Sequence, residues 1–137
     1  MRYLLDTHPW LWMLTGPARL GRDTLEVVRD PNNELLLSAA SSWEIAIKYS
    51  IGKLPLPETP DAYVPARMQT SGVEGLPIEH RHTLRVAALP QYHRDPFDRL
   101  LVAQAQLEGL SLITADRVFE RYEVEVVRAG QPASESR

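Results

Sequence analysis

Short runs of apolar residues recur along the chain, each followed by a turn and then by a longer stretch with helical spacing. Tyr3-Leu4-Leu5, Leu35-Leu36-Leu37 and Leu110-Ser111-Leu112-Ile113 are too short for helices and apolar throughout, as strands buried on both faces are. Val124-Glu125-Val126-Val127 reads as a fourth, and Leu76-Pro77-Ile78 as a weak fifth, because Pro77 suits only an edge or a strand start. Between them the spacing predicts helices from Pro9 to near Gly16, from Gly21 or Arg22 to Arg29, and over Ser38–Lys48, Asp61–Met68 and His80–Leu89. A further helix opens at Asp95-Pro96, a cap followed by a proline whose missing N–H has no partner to lose, and Gly109 ends it. Strands alternating with helices imply an α/β fold, a three-layer α/β/α sandwich around a central, mostly parallel sheet.

Length changes little in this picture, since 137 residues suit one domain with a core of its own. The expected layout is a single domain over 1–128 and a flexible C-terminal tail over 129–137. The chain has no cysteine, which removes disulfides, thiolate metal sites and a cysteine nucleophile. No run approaches a membrane span and the N-terminus is not built like a signal peptide, so a cytoplasmic protein is expected. A net charge of −3 argues against a generic basic nucleic-acid binder; a polyanion would have to be met by local cations or by metal.

Four acids change the picture more. Asp6 and Asp116 follow strand-like runs, and Glu44 and Asp98 stand three residues after Ser41 and Asp95, in the first turns of their helices. That spacing is also a capping box, which explains either helix acid without chemistry. All four, however, map to the carboxyl ends of a parallel sheet, where such folds bind ligands. Carboxylates brought together repel, so a cluster of them calls for a cation, and an all-oxygen donor set suits Mg²⁺ or Mn²⁺. Two such ions could hold a phosphodiester and activate water for in-line attack.

The motifs Leu4-Leu5-Asp6-Thr7-His8, Ser42-Trp43-Glu44-Ile45-Ala46-Ile47-Lys48 with Gly52-Lys53-Leu54, Asp95-Pro96-Phe97-Asp98-Arg99-Leu100-Leu101 and Ile113-Thr114-Ala115-Asp116 resemble those of PIN-domain proteins of the VapC toxin type. The resemblance spans almost the whole chain, in order. It implies a metal-dependent endoribonuclease, the toxin half of a toxin–antitoxin pair with a VapB-like antitoxin as partner, and a tendency to form homodimers. Carried over by position, Asp6, Glu44, Asp98 and Asp116 match the family's acidic quartet as catalytic and metal-binding residues.

Supporting roles stay open. Thr7 and Thr114 either orient carboxylates or cap helices, and Asp95 reads as a cap. His8 and His93 flank the acids and are candidate general acids. Arg94, Arg99 and Arg117 could grip phosphate or pair with the neighbouring acids. Trp10, Trp12 and Trp43 read as core residues rather than base-stacking platforms, and exposed apolar residues for a partner are expected around Trp10–Leu14 and the proline-rich segment. The alternatives are a Mg²⁺-dependent phosphoryl-transfer domain, a DNA nuclease, and a non-catalytic RNA- or protein-binding module.

Overall fold

The computed structural model describes residues 1–130, in the order β1 (Arg2–Leu5), α1 (Thr7–Thr15), α2 (Arg22–Arg29), β2 (Glu34–Ser38), α3 (Ala39–Ser50), α4 (Pro60–Ser71), β3 (Val73–Leu76), α5 (His80–Arg85), α6 (Pro96–Glu108), β4 (Ser111–Thr114) and β5 (Val126–Arg128). Single 3-10 turns at Pro17–Leu20, Val86–Ala88 and Arg117–Arg121 complete it. The strands form one parallel sheet in the order β3-β2-β1-β4-β5.

That order places the site. From β1 the chain steps outward through β2 to β3, then crosses back to lay β4 on the other side of β1. The connections leaving β1 and β4 therefore part in opposite directions, opening a crevice at the carboxyl ends of these two strands. Side chains alternate across the sheet as the pleat requires. Tyr3, Leu5, Leu35, Leu37 and Ile113 pack with Trp10, Leu20, Ile45 and Tyr63 on one face, whereas Leu4, Leu36 and Leu112 pack with Leu101, Val102, Ala105 and Phe119 on the other. Both faces are thus covered, and the strands can be apolar throughout.

Several boundaries differ from expectation, and caps explain them. The first helix begins at Thr7, not Pro9, because Asp6 is its cap, with Oδ1 accepting from the Thr7 N–H at 2.8 Å. The third begins at Ala39, with Ser38 Oγ accepting from the Ala40 N–H at 2.9 Å. Ser41 is therefore not a cap, and Glu44 lies in the second turn. The third strand ends at Leu76, just before Pro77, because Leu35–Ser38 of β2 pairs with Val73–Leu76. The sixth helix has the expected ends: Asp95 accepts from the Phe97 N–H at 2.8 Å, and Gly109 caps it at φ +67°, a left-handed conformation that costs glycine little.

Residues 129 and 130 are bonded to the fold. Ala129 is 3% exposed and donates its N–H to Thr114 O at 2.8 Å, and the Gly130 N–H donates to Leu20 O at 2.9 Å. The rest of the expected tail, 131–137, lies outside the described residues. No helix among the described residues is long and apolar enough to cross a membrane.

Candidate metal centre

Asp6 leaves the end of β1 at the crevice, its backbone N–H donating to Ile113 O of β4 at 2.9 Å. Its carboxylate is held on both sides, by the Thr7 N–H on Oδ1 and by the Thr114 hydroxyl on Oδ2 at 2.8 Å. Burial raises its pKa, and these two donors, which favour the ionised form, oppose that shift. Thr114 does double duty: its Oγ1 also accepts from the Asp116 N–H at 3.1 Å, so one fully buried hydroxyl sets the spacing of both strand-end acids.

Glu44 reaches the site from the second turn of α3. Thr7 Oγ1 lies 2.7 Å from Glu44 Oε1 and 2.8 Å from Ser41 Oγ. A hydroxyl has one proton and a carboxylate can only accept, so Thr7 donates to Glu44 and Ser41 supplies the other bond. The second Glu44 oxygen meets Lys48 Nζ at 2.7 Å, an i,i+4 pair whose hydrogen bond raises the Lys48 pKa. Lys48 also lines a cleft beside the acids with Thr7, His8, Leu11, Lys53 and Leu54.

Asp98, in the first turn of α6, makes no reciprocal bond to its cap, and its carboxylate accepts no hydrogen bond among the described residues. The capping-box explanation therefore fails for both helix acids. Asp98 is three-quarters buried, and its pKa is pushed up to about 8, first by burial and then by the charges of Asp95, Asp6, Glu44 and Asp116. The four expected acids thus act on one another as a group. Such a carboxyl needs a proton or a cation, and oxygens held apart by threonines rather than paired with arginine fit a hard divalent ion.

Sequence reasoning underrated one neighbour. His93 is buried, with Nε2 at 2.9 Å from Asp116 Oδ2 and 3.8 Å from Asp98 Oδ2, and donor atoms of the three residues lie within 4.8 Å of one another. No local pattern could have separated it from His8, which is exposed; the contact is made by a turn that folds back onto Phe119 and Tyr122.

One other candidate, Arg99, turns away from the site. Arg99 is buried, and its guanidinium donates to Pro90 O at 2.9 Å and Val86 O at 3.0 Å, so it secures the turn before α6 rather than gripping phosphate. Arg94 and Arg117 are exposed. Trp10 is buried and Trp12 partly so, but Trp43 is 58% exposed, its ring meeting Phe97 edge-on at 5.1 Å where α3 and α6 converge. The exposed large apolar residues are not Trp10–Leu14 but include Trp43, Ile47 and Ile51, on one stripe of α3 and its end.

A second group that could hold a metal ion, Glu79, His82 and Glu108, is closed by Arg81, which bonds both carboxylates. Held by that guanidinium, and with His82 Nε2 at 2.8 Å from Glu108 Oε2, the group ties α5 to α6.

The chain resembles known proteins in sequence and in fold. Residues 3–125 match the family model of the PIN domain. Over 61 residues, 44% of this chain, it is 52% identical to Ribonuclease VapC16 of Mycobacterium tuberculosis, and the match spans 43% of that relative. Among solved structures, a chain of VapBC2 from Rickettsia felis, bound to a DNA fragment from its promoter, superposes with a TM-score of 0.70 at 18% identity, covering 94% of this chain and 99% of that one. A chain of a toxin–antitoxin complex from Klebsiella pneumoniae gives 0.62 at 24% identity, covering 91% and 95%. Those identities speak to fold alone, but the sequence match runs from the first strand almost to the last, through every element that carries an acid, and the chain belongs to the PIN domain family.

Proposed function

We propose that this chain is a Mg²⁺- or Mn²⁺-dependent endoribonuclease, the toxin of a toxin–antitoxin pair, acting in the cytoplasm. Asp98 carries the reading: a carboxyl pushed to about 8 among four other acids is poised to exchange its proton for a metal ion. Asp6, Glu44, Asp98 and Asp116 would hold the ion. When bound, a divalent ion of this kind stabilises charge on phosphoryl oxygens and makes water nucleophilic at neutral pH. Thr7 and Thr114 keep their carboxylates in fixed orientations, so little reorganisation is left for the reaction. Lys48 balances one acid and, with Lys53 and His8, gives the adjoining cleft a basic lining that favours a flanking phosphate.

The kinship with a protein named as a ribonuclease supports RNA as substrate, and the likeness to chains from toxin–antitoxin complexes supports an antitoxin partner, with homodimers as the expected assembly. Purified protein should cut single-stranded or looped RNA in millimolar Mg²⁺ or Mn²⁺ and stop in EDTA, and Asp98→Asn should lower the rate by about a hundredfold or more, the scale of losing a group used in the transition state. Equal rates in metal and chelator would sink the metal-dependent enzyme, and faster cutting of single-stranded DNA would reassign the substrate. In cells, expression should arrest growth, a small protein encoded alongside should restore it, and Asp6→Ala should be harmless.

A further inference from the structure

The contacts of His93 settle where its proton sits, and with it what the ring can do. Tyr122 Oη lies 3.0 Å from the His93 backbone N and 3.1 Å from Nδ1. The backbone N–H can only donate, so the phenol oxygen accepts there and its own hydrogen is free to point at Nδ1. On its far side the ring presents Nε2 to Asp116 Oδ2 at 2.9 Å. A bare Nε2 would set a lone pair against a carboxylate oxygen at that distance. A proton on Nε2 makes the same contact a hydrogen bond, in the neutral ring and in the imidazolium alike.

We infer that His93 is a positioning residue for the acid site, holding Asp116 through a proton on Nε2 that Tyr122 keeps there, and is not itself a metal ligand. The placement supports this. His93 is 8% exposed, and its ring is stacked parallel to Tyr122 (interplanar angle 6°, centroids 5.6 Å) and tilted against Phe119 at 4.5 Å, so it has little freedom to turn Nδ1 toward the acids. Asp116 needs such a hold more than its partners do. Its side chain is 42% exposed, whereas that of Glu44 is 13% exposed, and its other oxygen is committed to the Val118 N–H at 2.9 Å. The arrangement is a carboxylate–histidine pair in reverse, with the imidazole orienting the candidate ligand.

This inference rests on the metal-site reading above but not on RNA cleavage, and its test is read without RNA. Long-range ¹H–¹⁵N spectra of the intact protein, with His93 assigned by its loss in His93→Gln, should show Nε2 protonated both without metal and in saturating Mg²⁺. Mg²⁺ affinity, measured by calorimetry on variants whose circular dichroism matches wild type, should fall about tenfold or more in His93→Ala, the lower end of what losing an orienting partner costs. His93→Gln, whose amide can still donate to Asp116, should recover most of that loss. Tyr122→Phe, which removes the hydroxyl that faces Nδ1, should let Nε2 lose its proton in part of the population and weaken Mg²⁺ binding by a few fold. An Nε2 that gives up its proton when Mg²⁺ binds would overturn the inference by making His93 a ligand. A folded His93→Ala protein with wild-type Mg²⁺ affinity would overturn it by making the contact incidental. Wild-type protein that binds Mg²⁺ yet cuts no RNA would defeat the ribonuclease reading and leave this one standing.

Discussion

At the residue scale the acids are distinguished by what they touch. Asp98 accepts no hydrogen bond among the described residues and faces four other acids, so in the folded chain it keeps its proton up to about pH 8, whereas in the unfolded chain it releases it near the ordinary carboxyl value of 3.8. Between those values the folded state binds more protons than the unfolded one, and stability of the metal-free protein must fall as pH rises. Burial shifts Asp6 the same way. Thermal melts in EDTA at pH 6 and pH 8.5 should therefore show a drop for wild type that Asp98→Asn largely removes, and at pH 8.5 the variant should melt higher. In the same window Mg²⁺ competes with that proton, so its apparent affinity should weaken by up to about tenfold for each pH unit below 8. Arg99 makes the opposite case, since its buried guanidinium serves two carbonyls. Arg99→Met should cost about 1.5–3 kcal/mol, the worth of hydrogen bonds to a charged donor, plus the carbonyls left unpaired, as measured by urea denaturation. Its folded fraction should still bind Mg²⁺ like wild type.

At the scale of elements, caps decide where each acid lands. Ser38 rather than Ser41 opens α3, which puts Glu44 in the second turn and frees Ser41 to bond Thr7. Removing the true cap with Ser38→Ala should cost about 1 kcal/mol in equilibrium unfolding, more if its buried partner is left unpaired. Ser41→Ala should leave the helix start intact and instead loosen Glu44, weakening Mg²⁺ binding by more than it lowers the melting temperature. Gly109 ends α6 in a left-handed conformation with nothing within 4 Å of where a Cβ would stand. Gly109→Ala should thus destabilise by about 1 kcal/mol through backbone strain alone, in the same denaturation measurement. The apolar α6 was legible from its cap, its proline and its final glycine. The start of α1 was not, nor was the serine that caps α3, because Asp6-Thr7-His8-Pro9 and Ser38-Ala39-Ala40-Ser41 each offer more than one residue able to cap.

At the scale of the whole molecule, the acids come from four separate parts of the chain, the end of β1, α3, α6 and the turn after β4, so a bound ion would tie both helices to the sheet. Mg²⁺ at about one hundred times its Kd should stabilise the protein by roughly 2.7 kcal/mol, seen as a rise of several degrees in melting temperature. Amide exchange should slow most at the starts of α3 and α6, and Asp6→Asn should blunt both effects. Elements, alternation and the convergence of Asp6, Glu44, Asp98 and Asp116 on one sheet edge were determined by sequence alone, because strand burial and helix capping are local and leave a periodic record. Only the tertiary structure decided that His93 joins that edge while Arg99 turns away from it, that Trp43 stands in solvent, and that Thr114 bonds Asp6 across 108 positions. Those outcomes depend on which segments the crossover from β3 to β4 brings together, and contacts between distant residues write no period into the chain.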